Sequence, residues 1–386
     1  MNDSIANCER MARMAWSYVS EYRDNNARNL IEHMGACDAW QWLNNDQRVL
    51  PKLFMNYARK KDIKDLIDQW VLRARKFNID VILEQAELHG IDMIVPGDTY
   101  WPQTLSLMND WEPIGIWVRG NKESLHSINK KSVSIVGARA SSRYGDQVSA
   151  ELSYDLSVHG YTIVSGGAFG IDAMAHRGAL KAEGKTVAVL AGGLERFYPV
   201  RHTDLFHDIM EKGCLVSLYP PGARPTRWRF LDRNRVIAGL TQGCVVVEAG
   251  YRSGALNTAQ HARELGRHLG AVPGSIYSLS SVGTLQLIRH NATLISNAQE
   301  VIEMIEPISA DEKSIPHLPI QSRLLDGIDG DQRIIFDAMP AVRAAALENI
   351  ARAAGLSIEK TRIALVSLEL EGRVTCSQGL WKRKKT

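Results

Sequence analysis

Between Ser132 and Ala249 short apolar runs alternate with longer amphipathic stretches, and this alternation constrains the fold more than any other feature of the chain. Val133 to Val136, Thr162 to Val164, Val187 to Leu190, Leu215 to Leu218 and Val245 to Val247 are each short enough for a strand. They are apolar without a polar alternation, as strands buried on both faces are. Between the first two, Val148, Leu152 and Leu156 recur four apart and give a helix a core-facing stripe. Strands separated by crossover helices form a parallel sheet with helices on its faces. Ala271 to Val272, just before Pro273 and Gly274, reads as one more strand.

The flanks follow other rules. From Met1 to about Gly90 the spacing is helical: Leu30, Ile31 and Met34 recur, Gly35 punctuates, and Ala39 to Leu43 resumes. Two readings stand for these short helices around a glycine, a small DNA-binding hairpin or plain helical packing in which the glycine is only a C-cap. Pro307 to Asp329 carries Pro316, Pro319 and Gly327 without helical or strand period, as a linker does. Beyond it come a helix from Gln332 to Met339, a helix from Leu347 to Ala354, a turn at Gly355, a helix from Ser357 to Leu370, and a strand pair around Gly379. That is the winged-helix order. The expected fold class is α/β, a Rossmann-like mostly parallel sheet with a small helical domain before it and a winged helix after it. The expected divisions are a helical domain of the SAM or helix-hairpin-helix kind over 1–95, the Rossmann-like domain over 96–308, a linker over 309–328 and the winged helix over 329–386.

A parallel sheet of this kind takes ligands at the carboxyl ends of its strands, where loop amides and helix N-termini point. The first strand ends in Gly137-Ala138-Arg139-Ala140-Ser141-Ser142. A dinucleotide fingerprint needs glycine where Arg139 stands, so that pyrophosphate can touch the backbone. A phosphate held by the Arg139 guanidinium, loop amides and the Ser142 hydroxyl fits these residues better than NAD does, with an ordinary loop arginine as the alternative. The second strand ends in Ser165-Gly166-Gly167-Ala168-Phe169-Gly170-Ile171-Asp172, and two such turns side by side build one anion pocket. His176 lies one helical turn from Asp172; a hydrogen bond within the helix is a plainer account than a metal pair, since no third ligand follows.

Arg224, Arg227, Arg229, Arg233 and Arg235 crowd one segment against a single acid, Asp232, with Trp228 and Phe230 interleaved. As extended chain, this segment sends Arg227 and Arg229 to one face and the rings to the other, the composition of a single-strand groove. A solvated charge run is the alternative. Glu248 ends a buried apolar strand and needs a partner there; Arg233 or Arg235 is the plainer choice, a catalytic acid the other. Without a Ser-His-Asp order, a metal-ligand cluster or a Walker lysine beside it, neither an enzyme nor a cofactor is expected.

The formal charge of +3 over 386 residues decides nothing about nucleic acid, because phosphate binding depends on local clusters. Cys8, Cys37, Cys214, Cys244 and Cys376 lie far apart with no C-x-x-C pair, and are expected as reduced thiols in a cytoplasmic protein. The start of the chain lacks the basic and apolar regions of a signal peptide, and no apolar run reaches the ~18 residues of a bilayer span, so no membrane partner is expected.

Taken in order, these motifs resemble those of the DprA (Smf) family of DNA-processing proteins. Gly137-x-Arg139-x-x-Ser142, the glycine loop from Ser165 to Asp172, His176 with Gly178-Ala179-Leu180, and Tyr198-Pro199 open the match. Tyr219-Pro220-Pro221-Gly222, the run from Arg233 to Leu240, Glu248-Ala249, Ser253-Gly254-Ala255 with Thr258-Ala259, and Val272-Pro273-Gly274 continue it to about Ile305. The resemblance implies a non-enzymatic protein that coats and protects incoming single-stranded DNA, helps load the RecA recombinase during natural transformation, and forms a homodimer through the Rossmann-like domain. Residue reading and resemblance together place the nucleic-acid contacts at Gly137, Arg139, Ser142, Ser165, Gly166, Gly167, Gly170, Arg201, Arg227, Trp228, Arg229, Arg233, Asn234, Arg235, Ser253 and Gly254. Three departures stand out, and two of them lower the charge expected at the pocket. Val200 stands where relatives carry a lysine, with Arg201 as a substitute; Phe169 replaces a basic residue; and Leu231 follows Phe230 where a Phe-Pro lead-in is usual. The rival functions are a Rossmann-like nucleotide hydrolase, whose proline and double-glycine phosphate motif is missing after Ala249, and a winged-helix transcriptional regulator. In the last helix Lys360 and Arg362 face Glu359 and Glu369, too balanced for strong duplex binding.

Overall fold

In the computed structural model every apolar run singled out above is a strand of one sheet. The structure describes residues 2–45, 49, 51, 60–306, 330–340, 344–370, 372–377 and 379–384, and divides into two units, Met1–Ile308 and Ser309–Thr386. The linker expected over 309–328 lies outside the described residues.

The first unit begins with α1 (Asn2–Val19), α2 (Asn25–Met34), α3 (Ala36–Asn44), α4 (Lys60–Ala74) and α5 (Ile79–His89). Then follow β1 (Ile91–Ile94), the short α6 (Gln103–Ser106), β2 (Ile116–Gly120) and α7 (Glu123–Ile128). The alternating part runs β3 (Ser132–Val136), α8 (Arg143–Val158), β4 (Thr162–Ser165), α9 (Ile171–Lys181), β5 (Thr186–Leu190), α10 (Thr203–Lys212) and β6 (Cys214–Ser217). It continues with α11 (Arg227–Gly239), β7 (Gly243–Val246), α12 (Gly254–Glu264), β8 (His268–Ala271), α13 (Val282–Arg289), β9 (Thr293–Leu294) and α14 (Ala298–Ile305).

The strands lie in the order β1-β2-β6-β5-β4-β3-β7-β8-β9, parallel from β6 to β9, with β2 antiparallel to β6 and to β1. Every residue of β3, β4, β5, β6 and β7 is buried, which is why their sequences show no polar alternation. On one face Val136, Val164, Val189 and Val216 pack with α11; on the other Ile135, Ile163 and Val245 meet Leu152 and Leu156 of α8. Each such side chain contributes roughly 1.5–3 kcal/mol by leaving water.

The N-terminal helices have their own core, in which Trp16 and Trp70 meet edge to face at 5.5 Å over Leu30 and Leu43. Gly35, at φ 82°, ends α2 by donating its N–H to the Ile31 carbonyl, and the inner faces of α2 and α3 are buried. These helices also hold the sheet unit directly: the Arg23 guanidinium pairs with Asp232, and the Tyr22 hydroxyl donates to the Trp111 carbonyl at 2.6 Å. Cys37 is disulfide-bonded, which corrects the expectation of five reduced thiols; spacing along the chain does not reveal which helices pack together. Cys214, Cys244 and Cys376 are free. Among the described residues no helix is long and apolar enough to cross a membrane.

The second unit contains α15 (Gly330–Ala338), β10 (Ala345–Ala346), α16 (Leu347–Ala354), α17 (Ile358–Leu370), β11 (Val374–Ser377) and β12 (Leu380–Arg383). Its strands pair β10-β12-β11, and Ile335, Phe336, Ile350, Leu365, Leu368 and Trp381 form its core, a winged helix as the sequence order indicates.

Candidate nucleic-acid interface

The crossovers reverse direction between β3 and β7, the topological switch point at which open sheets of this kind bind ligands. An open cleft of about 860 Å³ lies there, beyond the carboxyl ends of β3, β4 and β7. Its walls are the β3–α8 loop with Gly137 and Arg139, the first two turns of α11, and the β7–α12 loop from Gly250 to Gly254.

The segment from Arg227 to Arg235 is helical, not extended, which corrects the two-face strand expectation. Thr226 caps it, its hydroxyl accepting from the Arg229 N–H at 3.3 Å, and helical geometry re-sorts the arginines. Arg227, Phe230, Leu231 and Asn234 follow helical spacing and all line the cleft. Arg229 and Arg235 are spent on protein partners. Arg229 pairs with Glu21 at 3.0 Å and stacks on Tyr219 at 4.3 Å; Arg235 pairs with Glu264 at 3.2 Å and stacks on Trp111 at 3.8 Å. Trp228 is exposed beneath the Arg23 guanidinium, outside the cleft lining.

Arg233 forms the floor. Its Nη2 donates to the Gly166 carbonyl at 2.8 Å, its Nη1 to Asn234 Oδ1 at 3.1 Å, and Asp172 lies 3.9 Å away. Burial lowers the Arg233 pKa and raises that of Asp172, and each charge partly offsets the other's shift. A Cβ at Gly166 would overlap the guanidinium, so the glycine loop is open here to admit Arg233. Gly170, at φ 74°, passes directly beneath the Ala138 and Arg139 carbonyls, where again no Cβ fits. Ser165 and Gly167 are buried supports: Ser165 Oγ donates to the Ile135 carbonyl at 2.6 Å, and the Gly167 carbonyl lies 3.0 Å from His202 Nδ1.

Above this floor Arg139 is exposed, with its guanidinium 5.0 Å from the centroid of Phe230. Tyr198 meets the same ring at 5.9 Å, and a small slot beside the cleft is lined by Arg139, Gly166, Phe169, Tyr198, Pro199 and Phe230 among others. Arg139, Arg227 and Arg252 line the cleft and make no ion pair among the described residues. Ser253 Oγ caps α12 by accepting from the Ala255 N–H, and Gly254 opens the helix into free space.

Two partner assignments change. Glu248 does not pair with an arginine: it accepts from the Ser142 N–H at 2.9 Å, from Ser142 Oγ at 2.6 Å and from Ser280 Oγ at 3.1 Å. The Ser142 hydroxyl, which also accepts from Gly145 N–H, is thereby engaged in capping α8. His176 and Asp172 do not bond each other; His176 Nδ1 lies 2.7 Å from Thr186 Oγ1, and Asp172 accepts from the Ala168 N–H at 3.4 Å. Arg201 is exposed on the turn from Val200 to His202, outside the cleft lining. Phe230, Tyr198, Tyr251 and Arg252 line the cleft without appearing among the expected contacts. The extended reading makes Phe230 only a ring of a groove; a helical reading from Thr226 puts it on the cleft side with Arg227.

The family model described as DNA recombination-mediator protein A matches residues 92–306, and that of the DprA winged helix domain matches residues 319–379. A Mycobacterium tuberculosis protein named for DNA processing, DprA, is 39% identical over 384 residues, covering 95% of this chain and 93% of that one. The X-ray structure of DNA processing protein A from Streptococcus pneumoniae superposes with a TM-score of 0.59 at 30% identity, covering 79% of this chain and 98% of that one. A Helicobacter pylori DNA processing protein A, described for its single-stranded DNA binding mode, gives a TM-score of 0.50 at 26% identity over 55% of this chain and 94% of its own. The switch-point cleft thus sits in a chain that belongs to the DNA recombination-mediator protein A family, the DprA (Smf) proteins.

Proposed function

We propose that the cleft between β3 and β7 binds single-stranded DNA, and that the protein works in the cytoplasm as a homodimer. In that role it protects incoming strands and passes them to a RecA recombinase during natural transformation. The observation that carries this reading is the convergence of three guanidiniums that make no ion pair among the described residues, Arg139, Arg227 and Arg252, with the Phe230 and Tyr198 rings in one open cleft. Guanidiniums fork onto phosphates, and rings accept unstacked bases at about 1–3 kcal/mol each whatever the sequence. A duplex keeps its bases stacked and offers those rings nothing. The Gly137 and Gly254 amides, at the mouths of two strand-to-helix turns, complete the phosphate path. The single-stranded DNA binding described for the Helicobacter pylori relative supports the same reading, and family membership supports the recombinase, dimer and cytoplasmic parts of it.

Binding without turnover is part of the proposal. The Glu248 carboxylate is engaged by Ser142 and Ser280, and Asp172 by Arg233, so both act as struts.

The test is a titration of labelled single-stranded and duplex oligonucleotides at two salt concentrations. With three arginines on phosphates, log affinity should fall against log salt with a slope of about −2, at ~0.7 per contact on a single strand. Equal or tighter duplex binding would overturn the reading in favour of a regulator, and release of free base from nucleotides would restore the hydrolase.

A further inference from the structure

We infer that the loop after β8, anchored to the cleft wall that carries Tyr251 and Arg252, forms a second stacking platform for unpaired nucleobases beyond the cleft. The inference rests on the reading of the cleft as a single-strand site and extends its track by one neighbouring loop. β4, β3, β7 and β8 are consecutive in the sheet and parallel, so the loops at their carboxyl ends line one edge in that order, ~4.8 Å apart from strand to strand. The first three of these loops line the cleft; the fourth, residues 272–281, lies next along the edge.

Two backbone hydrogen bonds fix the end of the fourth loop and the start of α13 to the third. The Ala249 N–H donates to the Ser280 carbonyl at 2.8 Å, and the Gly283 N–H to the Ala249 carbonyl at 2.7 Å. Ser280 Oγ adds its bond to Glu248, and the Tyr144 hydroxyl holds the Pro273 carbonyl at 2.8 Å. On this anchored base the tip turns apolar side chains to solvent: Tyr277 is 92% exposed, Leu279 84% and Ile276 74%, while Tyr251 on the third loop is 69% exposed. A patch of this kind marks an interaction surface, and its composition states the partner. The exposed Tyr277 ring, on a loop bonded to the wall that carries Tyr251 and Arg252, extends the ring-and-guanidinium chemistry of Phe230, Tyr198 and Arg139 along the edge. A strand leaving the cleft past Arg252 meets rings before it meets water.

The experiment uses the full chain, oligothymidines of increasing length, and the variant Tyr277→Ala/Leu279→Ala, with sedimentation alongside anisotropy. Both side chains are exposed, so folding should be intact. Wild type should gain affinity as the oligonucleotide outgrows the cleft; the variant should keep wild-type affinity for the shortest binding oligonucleotide and lose the gain by roughly five- to hundredfold. Tyr277→Trp should retain it. Equal affinity of variant and wild type at every length overturns the platform while leaving the cleft reading intact. So does loss at all lengths together with a shift to monomers, which makes the patch a contact between copies. Absence of single-strand binding by wild type overturns both.

Discussion

Substituting Arg139 separates ligand contact from scaffold with a single measurement in two channels. The side chain is exposed on the β3–α8 loop, and its guanidinium makes no hydrogen bond among the described residues beyond lying 5.0 Å over Phe230. Arg139→Ala therefore removes from the folded protein only an exposed cation–ring contact of about 0.5–1 kcal/mol. At ~2–4 °C per kcal/mol for a domain of this size, melting should fall by no more than about 4 °C. To a bound phosphate the same side chain offers one or two charge-assisted hydrogen bonds, about 1.5–3 kcal/mol, so single-strand affinity should drop roughly ten- to hundredfold. Arg233→Ala is the contrast. It leaves the buried Asp172 carboxyl without its partner 3.9 Å away, at a cost of about 3–5 kcal/mol and a melting shift of roughly 6–20 °C. Anisotropy with a labelled oligonucleotide and a thermal melt on each variant supply both numbers. Unchanged affinity in Arg139→Ala refutes the phosphate role, and a large melting shift in that variant shows that Arg139 is part of the scaffold.

Gly166→Ala should destabilise by about 1–3 kcal/mol, because its methyl would occupy the space of the Arg233 guanidinium; a melt unchanged from wild type would show that Arg233 has another seat. Glu248→Gln should lower stability by about 1.5–3 kcal/mol, since an amide cannot accept all three donors from Ser142 and Ser280; an unaltered melting temperature argues against the strut. His176 is fully buried and its pKa is pushed down to about 3 by burial first and by His202 and Arg233 next. Between that value and the usual ~6.5 the unfolded chain binds a proton the folded one refuses, so the His176 contribution is complete above ~6.5 and is lost as pH falls towards 3. Melts of wild type and His176→Gln from pH 7 to pH 4 should show a shallower decline in the variant, and parallel curves would remove His176 from the account.

The central strands were legible because burial on both faces leaves no polar alternation, as in Val133 to Val136 and Val187 to Leu190. The antiparallel edge was not. β2 pairs with β6 roughly a hundred residues further on, and nothing in Ile116 to Gly120 announces a partner at that distance. The winged helix followed from its order of elements, since Gly355 and Gly379 take the left-handed conformations that mark a helix end and a hairpin turn. In the site, Arg139 was legible from its place after a strand. The arginine segment misled because Arg227, Trp228, Arg229 and Phe230 alternate charge and ring over four residues, a period-two pattern too short to outweigh a capped helix begun by Thr226. Glu248 showed the opposite limit. Burial correctly demanded a partner, but that partner, Ser142, is supplied by a loop 106 residues earlier that tertiary folding alone brings near.

The re-sorting of α11 explains how a chain with a formal charge of only +3 can present a cationic cleft. One side of the helix turns Arg227, Phe230 and Asn234 to the cleft, while Arg229, Asp232 and Arg235 take partners elsewhere in the unit. Glu21 and Glu264 neutralise two arginines, and Arg23 together with the Tyr219 hydroxyl engages Asp232. Pairing of this kind removes net charge without removing field at the cleft, because Arg139, Arg227 and Arg252, which make no ion pair among the described residues, are the ones that line it. The field at a site depends on which charges have partners within a few ångströms, and far less on their sum over the chain. The turn between α1 and α2 therefore acts on the cleft although it does not line it: Glu21 and Arg23 hold α11 from outside the cleft, and so fix the direction in which Phe230 and Arg227 point.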